Sequence, residues 1–191
     1  MTLPRLLVSA CLLGRPVRYD GSARTLEDAL LDRWVAQGRV VSVCPEGMAG
    51  LPTPRLLAEI AAGQDGTAVT GGTARVVEAD GTDVTDIYLA GARLALDQAI
   101  RHGCRHALLT DGSPSCGGDF IYDGSFQGRR IEGAGVTAAL LRQHGIAVFA
   151  PGDLSALAAA LGERDRFWGP IDIKRRSSLF VIPAQAGIHN Y

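Results

Sequence analysis

The chain has 191 residues, of which 47% are hydrophobic and 20% are charged, values typical of one soluble globular domain. Its formal net charge is -1, so no global positive field would attract nucleic acid or an anionic membrane. The apolar amino-terminal stretch is interrupted by Pro4, Arg5 and Ser9, unlike a signal peptide, and no run approaches the roughly 20 apolar residues of a membrane-spanning helix. We therefore expect a cytoplasmic location and no membrane association.

Four short apolar runs, at residues 6–10, 40–43, 107–110 and 146–149, predict strands of a parallel sheet that is buried on both faces. Helical patterns at 25–37, 84–102, 136–144 and 154–161 alternate with them, with Gly103 expected to end the second helix and Asp153 to cap the last. For residues 68–77, with Gly71-Gly72 in their middle, we predict a β-hairpin or a segment that leaves the edge of the sheet and returns to it. The alternation predicts a single-domain α/β fold with an open, mainly parallel sheet and helices on both faces. We assign residues 1–162 to this domain and 163–191 to a tail outside the core.

Three of the four cysteines follow predicted strands. Cys11 comes directly after the first strand, Cys44 closes the second, and Cys116 lies in the loop after the third. Because parallel strands place their carboxyl ends at one edge, where open α/β folds bind ligands, we expect these thiols to converge. Three thiolates need a cation, and their wide spacing favours an iron–sulfur cluster over zinc, which usually takes closely spaced C-x₂-C pairs. Three ligands leave one iron open for catalysis, and we interpret Cys104, at the opposite edge, as structural.

Polar residues in the same loops are candidates for proton transfer and substrate contact. Glu46, two residues after Cys44, has the position of a general base for a water molecule. Ser113, three residues before Cys116, has the position to hydrogen-bond a substrate or hand on a proton. Asp111 adjoins that loop as a substrate contact or as an alternative to Glu46. The remaining candidates for lining the pocket are Arg18, Tyr19, Asp20 and Arg55.

Two other functional classes use the same residues differently. A metal-free enzyme with Cys116 as nucleophile would need a histidine base, and no histidine adjoins the three loops. A non-catalytic iron–sulfur or zinc sensor of a small thiolated metabolite needs the same ligands and stays open. The common nucleotide-binding and hydrolase motifs are absent from the sequence.

Four phrases in this order resemble one protein family: SACLLGRPVRYDG, VCPEGMAGLPTPR, TDGSPSCG and YDGSFQGRRIEGAGVTAALLRQHGI. The chain is similar, from about residue 5 to 150, to the small bacterial proteins grouped as domain of unknown function 523 (DUF523), some of which are thiouracil desulfurases. The combination of SxCLxG, CPE, PR and SPSCG carries the likeness. One departure is that Thr110-Asp111-Gly112 stands where many relatives carry a lysine and a second polar or basic residue.

The resemblance implies a Rossmann-like fold and a [4Fe-4S] cluster held by Cys11, Cys44 and Cys116. It also implies that Glu46 and Ser113 are catalytic. The expected reaction is a non-redox, hydrolytic cleavage of a carbon–sulfur bond, in which Glu46 takes a proton from water and Ser113 stabilises or protonates the tetrahedral intermediate. We expect a small thiolated nucleobase as substrate, because the near-neutral charge and the lack of an RNA-handling domain make thiolated tRNA the weaker alternative.

Overall fold

A four-stranded parallel sheet forms the centre of the molecule in the computed structural model, which describes residues 3–163. Its strands are β1 (Leu6–Ser9), β2 (Val40–Val43), β5 (His106–Leu108) and β8 (Ala147–Phe149). The order across the sheet is β2-β1-β5-β8, with Leu7 of β1 paired to Val41 on one side and to Ala107 on the other. The α/β prediction and its four strands are therefore confirmed.

Helices cover both faces of this sheet, as expected. They are α1 (Ala29–Ala36), α4 (Thr85–Arg101), α5 (Val136–Gln143) and α6 (Leu154–Ala160). Leu6 and Val8 of β1 pack with Trp34 of α1 on one face, and Leu7 packs with Leu141 of α5 on the other, as the alternation of side chains along a strand requires. Among the described helices, none is both long and apolar enough to cross a membrane.

Two small antiparallel sheets lie beside the central one. They consist of β3 (Ala58–Ile60) with β4 (Val76–Glu78), and of β6 (Phe120–Tyr122) with β7 (Arg130–Glu132). Two short helices, α2 (Pro45–Met48) and α3 (Gly66–Thr70), and three 3-10 turns (Ala10–Leu13, Ala61–Gly63 and Pro151–Asp153) make up the rest of the secondary structure within residues 3–163. Ile60, Val76 and Ile121 from the small sheets form a separate core cluster with Tyr88 of α4 and Val136 of α5. The small sheets are thus fastened to the face that carries α4 and α5.

The prediction of a hairpin at residues 68–77 was wrong. Asp65 caps a helix there, because its carboxylate accepts hydrogen bonds from the backbone N–H groups of Thr67 and Ala68. The chain enters β4 only at Val76, and β4 pairs with β3 rather than with the preceding residues. The two glycines belong to the turn that joins α3 to β4.

The start of one helix and the cap of another differ from the prediction because of hydrogen bonds made by nearby aspartates, whereas the predicted end at Gly103 agrees. The first helix begins at Ala29 rather than at residue 25, because the Asp28 carboxylate accepts from the N–H of Leu30 at 2.8 Å. Gly103 follows α4 with φ of 65°, the left-handed conformation expected after a helix. Asp153 precedes α6 without capping it, since its carboxylate accepts from the N–H of Ala150 instead.

Glu163 belongs to the folded unit, one residue beyond the predicted boundary at 162. Its carboxylate accepts a hydrogen bond from Nε1 of Trp34 at 3.0 Å and forms ion pairs with Arg33 and Arg39. The remainder of the proposed tail, residues 164–191, lies outside the described residues. The domain therefore extends at least to the residue that closes this network.

Candidate active site

The three candidate cluster ligands lie at the carboxyl ends of neighbouring strands. Cys11 is in the 3-10 turn Ala10–Leu13 that directly follows β1, Cys44 comes after β2, and Cys116 is in the loop after β5. The chain runs from β1 to β2 on one side and then crosses to β5 on the other side of β1. This reversal opens a crevice at the carboxyl edge, the position where open α/β sheets bind ligands.

One cavity at this edge, with a volume of about 350 Å³, collects almost all of the predicted site residues. They are Cys11, Arg18, Tyr19, Cys44, Glu46, Arg55, Asp111, Ser113 and Cys116. Asp20 does not line the cavity, and its carboxylate instead accepts hydrogen bonds from the N–H and hydroxyl of Ser22. These hydrogen bonds lower the pKa of Asp20, as expected for a carboxylate that closes a turn.

Glu46 lies in the first turn of α2, where its residue is only 8% exposed. Its Oε1 is 3.8 Å from Nη2 of Arg55 and accepts a 3.4 Å hydrogen bond from the hydroxyl of Ser113. Its Oε2 accepts a hydrogen bond from the Cys44 thiol at 3.7 Å. The two proposed catalytic side chains, Glu46 and Ser113, therefore contact each other directly.

The short helix α2 is positioned by a close approach to α4. A Cβ at Gly91 of α4 would lie 2.5 Å from the carbonyl oxygen of Pro45, far inside van der Waals contact. Only glycine allows the two backbones to meet at this distance. Because Pro45 immediately precedes Glu46, this contact sets the depth of the carboxylate in the cavity.

The hydroxyl of Ser113 is oriented by the loop that carries Cys116. Its oxygen accepts hydrogen bonds from the backbone N–H groups of Ser115 and Cys116, each at 3.1 Å. With its acceptor sites used in this way, the hydroxyl directs its own proton toward Glu46. Behind the loop, a Cβ at Gly135 would lie 2.4 Å from the carbonyl oxygen of Ser115, so glycine is required there too.

Asp111 and Arg55 both bind the surrounding backbone. Oδ1 of Asp111 accepts from the N–H groups of Gly118 and Asp119, at 2.9 Å each, which fixes the loop beyond Cys116. Nη1 of Arg55 donates to the carbonyl oxygens of Val17 at 3.2 Å and Pro52 at 3.3 Å. Both side chains thus shape the cavity in which they lie.

The surroundings of the three thiols disfavour their thiolate forms when no metal is bound. Burial is the largest cause, and the nearby charge of Glu46 is the second. Together they raise the pKa of Cys11, raise that of Cys44 to about 11, and raise that of Cys116 well above its usual range. Interaction among the thiolates raises the pKa of Cys116 further. A cation in the cavity would remove this penalty, because a bound metal deprotonates its thiol ligands.

The donor set fits a cluster better than a single ion. Within residues 3–163, no group of three His, Cys, Asp or Glu side chains is close enough to hold one metal ion. In an iron–sulfur cluster each thiolate binds a different iron, so ligands that face one cavity without meeting at a point are suitable. The protein ligands available for such a cluster are the three cysteines that line this cavity, Cys11, Cys44 and Cys116.

Cys104 lies away from this edge. It is in the segment between α4 and the amino end of β5, and it packs among Leu7, Ala107 and Leu141 in the core. Burial raises the pKa of its thiol to about 11. It does not line the cavity, so its environment is that of a structural residue.

The cavity is also lined by residues that the sequence did not predict, among them Glu59, Tyr88 and Phe126. Tyr88 matches the apolar stripe of α4 and is 4% exposed, and its burial and the charge of Glu46 raise the pKa of its phenol. Glu59 is 3% exposed although it carries a charge. A charged residue between Ala58 and Ile60, in an otherwise apolar run, is the signal that could have identified it.

Residues 6–153 match the family model described as 2-thiouracil desulfurase. The chain belongs to this family. It is 43% identical over 150 residues to the uncharacterized protein YbbK of Bacillus subtilis strain 168, an alignment that covers 78% of this chain and 97% of YbbK. A solved structure described as the [4Fe-4S]-dependent thiouracil desulfidase TudS (DUF523) is 46% identical, with a TM-score of 0.76, over 83% of this chain and 98% of that one. The resemblance noted in the sequence is thereby confirmed.

Proposed function

We propose that this protein is a [4Fe-4S]-dependent desulfidase that hydrolyses a small thiolated pyrimidine, such as thiouracil, to the oxo-base and sulfide. The observation that carries the proposal is the meeting of three cysteines with Glu46 and Ser113 in one cavity of a 2-thiouracil desulfurase family member. The 46% identity to a protein described as [4Fe-4S]-dependent supports the cofactor. A metal centre of this type fits a reducing compartment, and we place the protein in the cytoplasm.

Cys11, Cys44 and Cys116 are the ligands we assign to the cluster. Three cysteine ligands would leave one iron of the cluster without a protein ligand, and that iron would supply Lewis-acid activation of the thiocarbonyl group. Burial and the charge of Glu46 raise the pKa of Cys44 and Cys116, so their thiolate forms are unfavourable when no metal is bound. Loading of the cluster therefore releases protons and should be weaker at low pH.

Glu46 is the base we assign to the attacking water. Its carboxylate lies in the cavity beside Cys44, so a water between it and a bound substrate lies within one hydrogen bond of the base. Glu46 takes a proton as the water oxygen bonds to the carbon that carries sulfur. The sum of the steps is thiocarbonyl plus water to carbonyl plus hydrogen sulfide, with no change of oxidation state.

Ser113 is the residue we assign to the tetrahedral intermediate. Two backbone N–H groups hold its oxygen, and its proton points toward Glu46. It can therefore donate its proton to the sulfur of the intermediate and recover the proton that Glu46 took from water. As the carbon–sulfur bond breaks, the hydroxyl of the intermediate gives the second water proton to Glu46, the carbonyl forms, and the sulfur leaves as hydrosulfide.

A free base or a small derivative is the substrate that the cavity favours. Its volume of about 350 Å³ is at the lower end of ordinary small-molecule sites, and part of it must hold the cluster. The net charge of -1 gives no global attraction to RNA.

The test is purification under nitrogen, followed by iron and sulfide analysis and sulfide-release assays on 2-thiouracil, 4-thiouracil and thiolated tRNA in parallel. We expect a brown protein with about four irons, as a [4Fe-4S] cluster requires, and turnover of a thiouracil. Cys104→Ser is the matched control and should retain iron that Cys116→Ser loses. A colourless, iron-free protein contradicts the cofactor, iron without turnover indicates a sensor, and turnover of tRNA alone contradicts the substrate.

A further inference from the structure

The wall of the cavity that comes from the small sheets contains a buried carboxylate bound to a loop. Glu59 of β3 is 3% exposed, and its Oε2 accepts hydrogen bonds from the backbone N–H groups of Gly124 at 2.8 Å and Phe126 at 3.1 Å. Asp123 adds a second attachment, because its carbonyl oxygen accepts from the N–H of Gly63 next to β3. The loop between β6 and β7 is therefore held against β3 at the point where Phe126 lines the cavity.

Phe126 has a conformation that a phenylalanine rarely adopts. Its φ is 58°, and among the described residues the only other non-glycine residue with positive φ is Ala62. The left-handed conformation is unfavourable for a residue with a Cβ, and it persists only where the surrounding structure imposes it. Here the loop is held by the hydrogen bonds from the Gly124 and Phe126 N–H groups to Glu59 and from the Gly63 N–H to the Asp123 carbonyl oxygen. A glycine at this position would remove the strain. The phenylalanine is therefore present although its backbone conformation lowers the stability of the loop.

We propose that Phe126 contacts the ring of the substrate and that Glu59 is the positioning residue that holds Phe126 in place. This inference rests on the proposed function, because it assigns the planar heterocycle of a thiolated pyrimidine to the aromatic wall of the same cavity. A planar base offers a π face to an aromatic ring whether sulfur or oxygen is attached to it. Phe126 therefore sets affinity for the ring, while the cysteines, Glu46 and Ser113 act on the carbon–sulfur bond.

This division of roles predicts a specific kinetic result. Loss of an aromatic–base stack costs about 1–3 kcal/mol, which corresponds to roughly 5- to 150-fold in binding. Because the same contact is present before and during the reaction, its loss raises KM and leaves kcat nearly unchanged. Uracil, which has no sulfur, should lose affinity by the same factor.

The experiment uses the anaerobically purified, cluster-bearing protein and compares Phe126→Leu with Phe149→Leu. Phe149 is the control, because it lies on β8, does not line the cavity, and has its ring next to His106, which does not line the cavity either. We measure KM and kcat for sulfide release from 2-thiouracil, and the Kd of uracil by calorimetry. Phe126→Leu should raise KM and the Kd of uracil about tenfold, Phe126→Tyr should restore both, and Phe149→Leu should leave both near wild type.

Two more comparisons test the positioning role and the strain. Glu59→Ala should raise KM as Phe126→Leu does, and Glu59→Gln, which keeps an acceptor for the loop, should restore most of it. Phe126→Gly should have the raised KM but a higher melting temperature than Phe126→Ala, since only glycine relieves the positive φ.

Equal KM and uracil Kd for Phe126→Leu and Phe149→Leu would overturn the inference, as would a fall in kcat at constant KM. Failure of wild-type protein to release sulfide from any thiouracil contradicts the proposed function separately. In that case the uracil measurements still decide the role of Phe126, and absence of uracil binding to the wild-type protein also overturns it.

Discussion

Replacing Glu163 by glutamine tests whether the chain is held into the fold beyond the predicted domain end. The carboxylate joins Arg33 and Arg39 and accepts from Nε1 of Trp34 at 3.0 Å. The Arg39 side chain is 3% exposed and that of Glu163 is 19% exposed, so the variant leaves a buried guanidinium without its counter-charge. Breaking a buried pair costs about 3–5 kcal/mol. We expect about 2–3 kcal/mol, since the glutamine oxygen can still accept one hydrogen bond.

For a domain of this size that loss lowers the melting temperature by roughly 4–12 °C, measurable by calorimetry or circular dichroism. Glu27→Gln is the control, because Glu27 is exposed, and it should stay within about 2 °C of wild type, as for other exposed surface substitutions. An equal melting temperature for Glu163→Gln and Glu27→Gln would refute the reasoning.

The same network gives a pH dependence with a defined sign. Burial raises the pKa of Glu163, but the hydrogen bonds from Arg39 and Trp34 and the charges of Arg39 and Arg33 outweigh burial and hold the pKa below its ordinary value. A carboxylate with a lowered pKa stabilises the fold at pH values above its unfolded pKa of about 4.3, and that contribution disappears as the pH falls through the folded pKa. The stability difference between wild type and Glu163→Gln should therefore shrink below about pH 4.

Three further substitutions test the site. Glu46→Gln should lower kcat by about 10²–10⁴-fold, the range for a lost general base, while iron content stays at the wild-type level; loss of iron would make Glu46 structural. Gly91→Ala places a Cβ 2.5 Å from the oxygen of Pro45, so it should destabilise by about 1–3 kcal/mol and lower kcat, and wild-type values for both would refute the packing argument. Arg55→Lys should lower kcat about tenfold, because lysine has a single donor group in place of the fork that orients Glu46; a change in KM alone would assign Arg55 to the substrate.

The central sheet was predictable because β1 is buried along its whole length and the four strands contain no aspartate, glutamate, lysine or arginine. The hydrophobic run at Leu6 to Val8 stands out from its surroundings for this reason. The segment at 68–77 was not predictable from its glycines, since the deciding feature is the cap made by Asp65, which lies outside the segment. The small sheets have strands of three residues, too short for a periodic pattern to show.

The site residues likewise fall into some that the sequence predicts and some that it does not. The position of the three cysteines at one edge of the sheet follows from the strand order. Residues directly after β1, β2 and β5 lie close together in a parallel sheet, however far apart they are in the sequence. Glu59 comes from β3 and Phe126 from the loop between β6 and β7, so their place in the cavity depends on tertiary packing that the sequence pattern does not reveal. Asp20 failed to reach the cavity for a local reason that the sequence did contain, since an aspartate two residues before a serine commonly closes a turn.

Arg55 shows how a residue can lie in a binding cavity and still be used by the protein itself. The sequence placed it among the substrate contacts, and it does line the cavity. However, Nη1 donates to Val17 and Pro52, Nη2 faces Glu46 at 3.8 Å, and the side chain is 6% exposed. Its charge also lowers the pKa of Cys44, against the stronger effects of burial and Glu46. A positive charge beside Glu46 offsets part of the repulsion that this carboxylate imposes on the Cys44 thiolate, so Arg55 would help a carboxylate base to lie next to an anionic cluster.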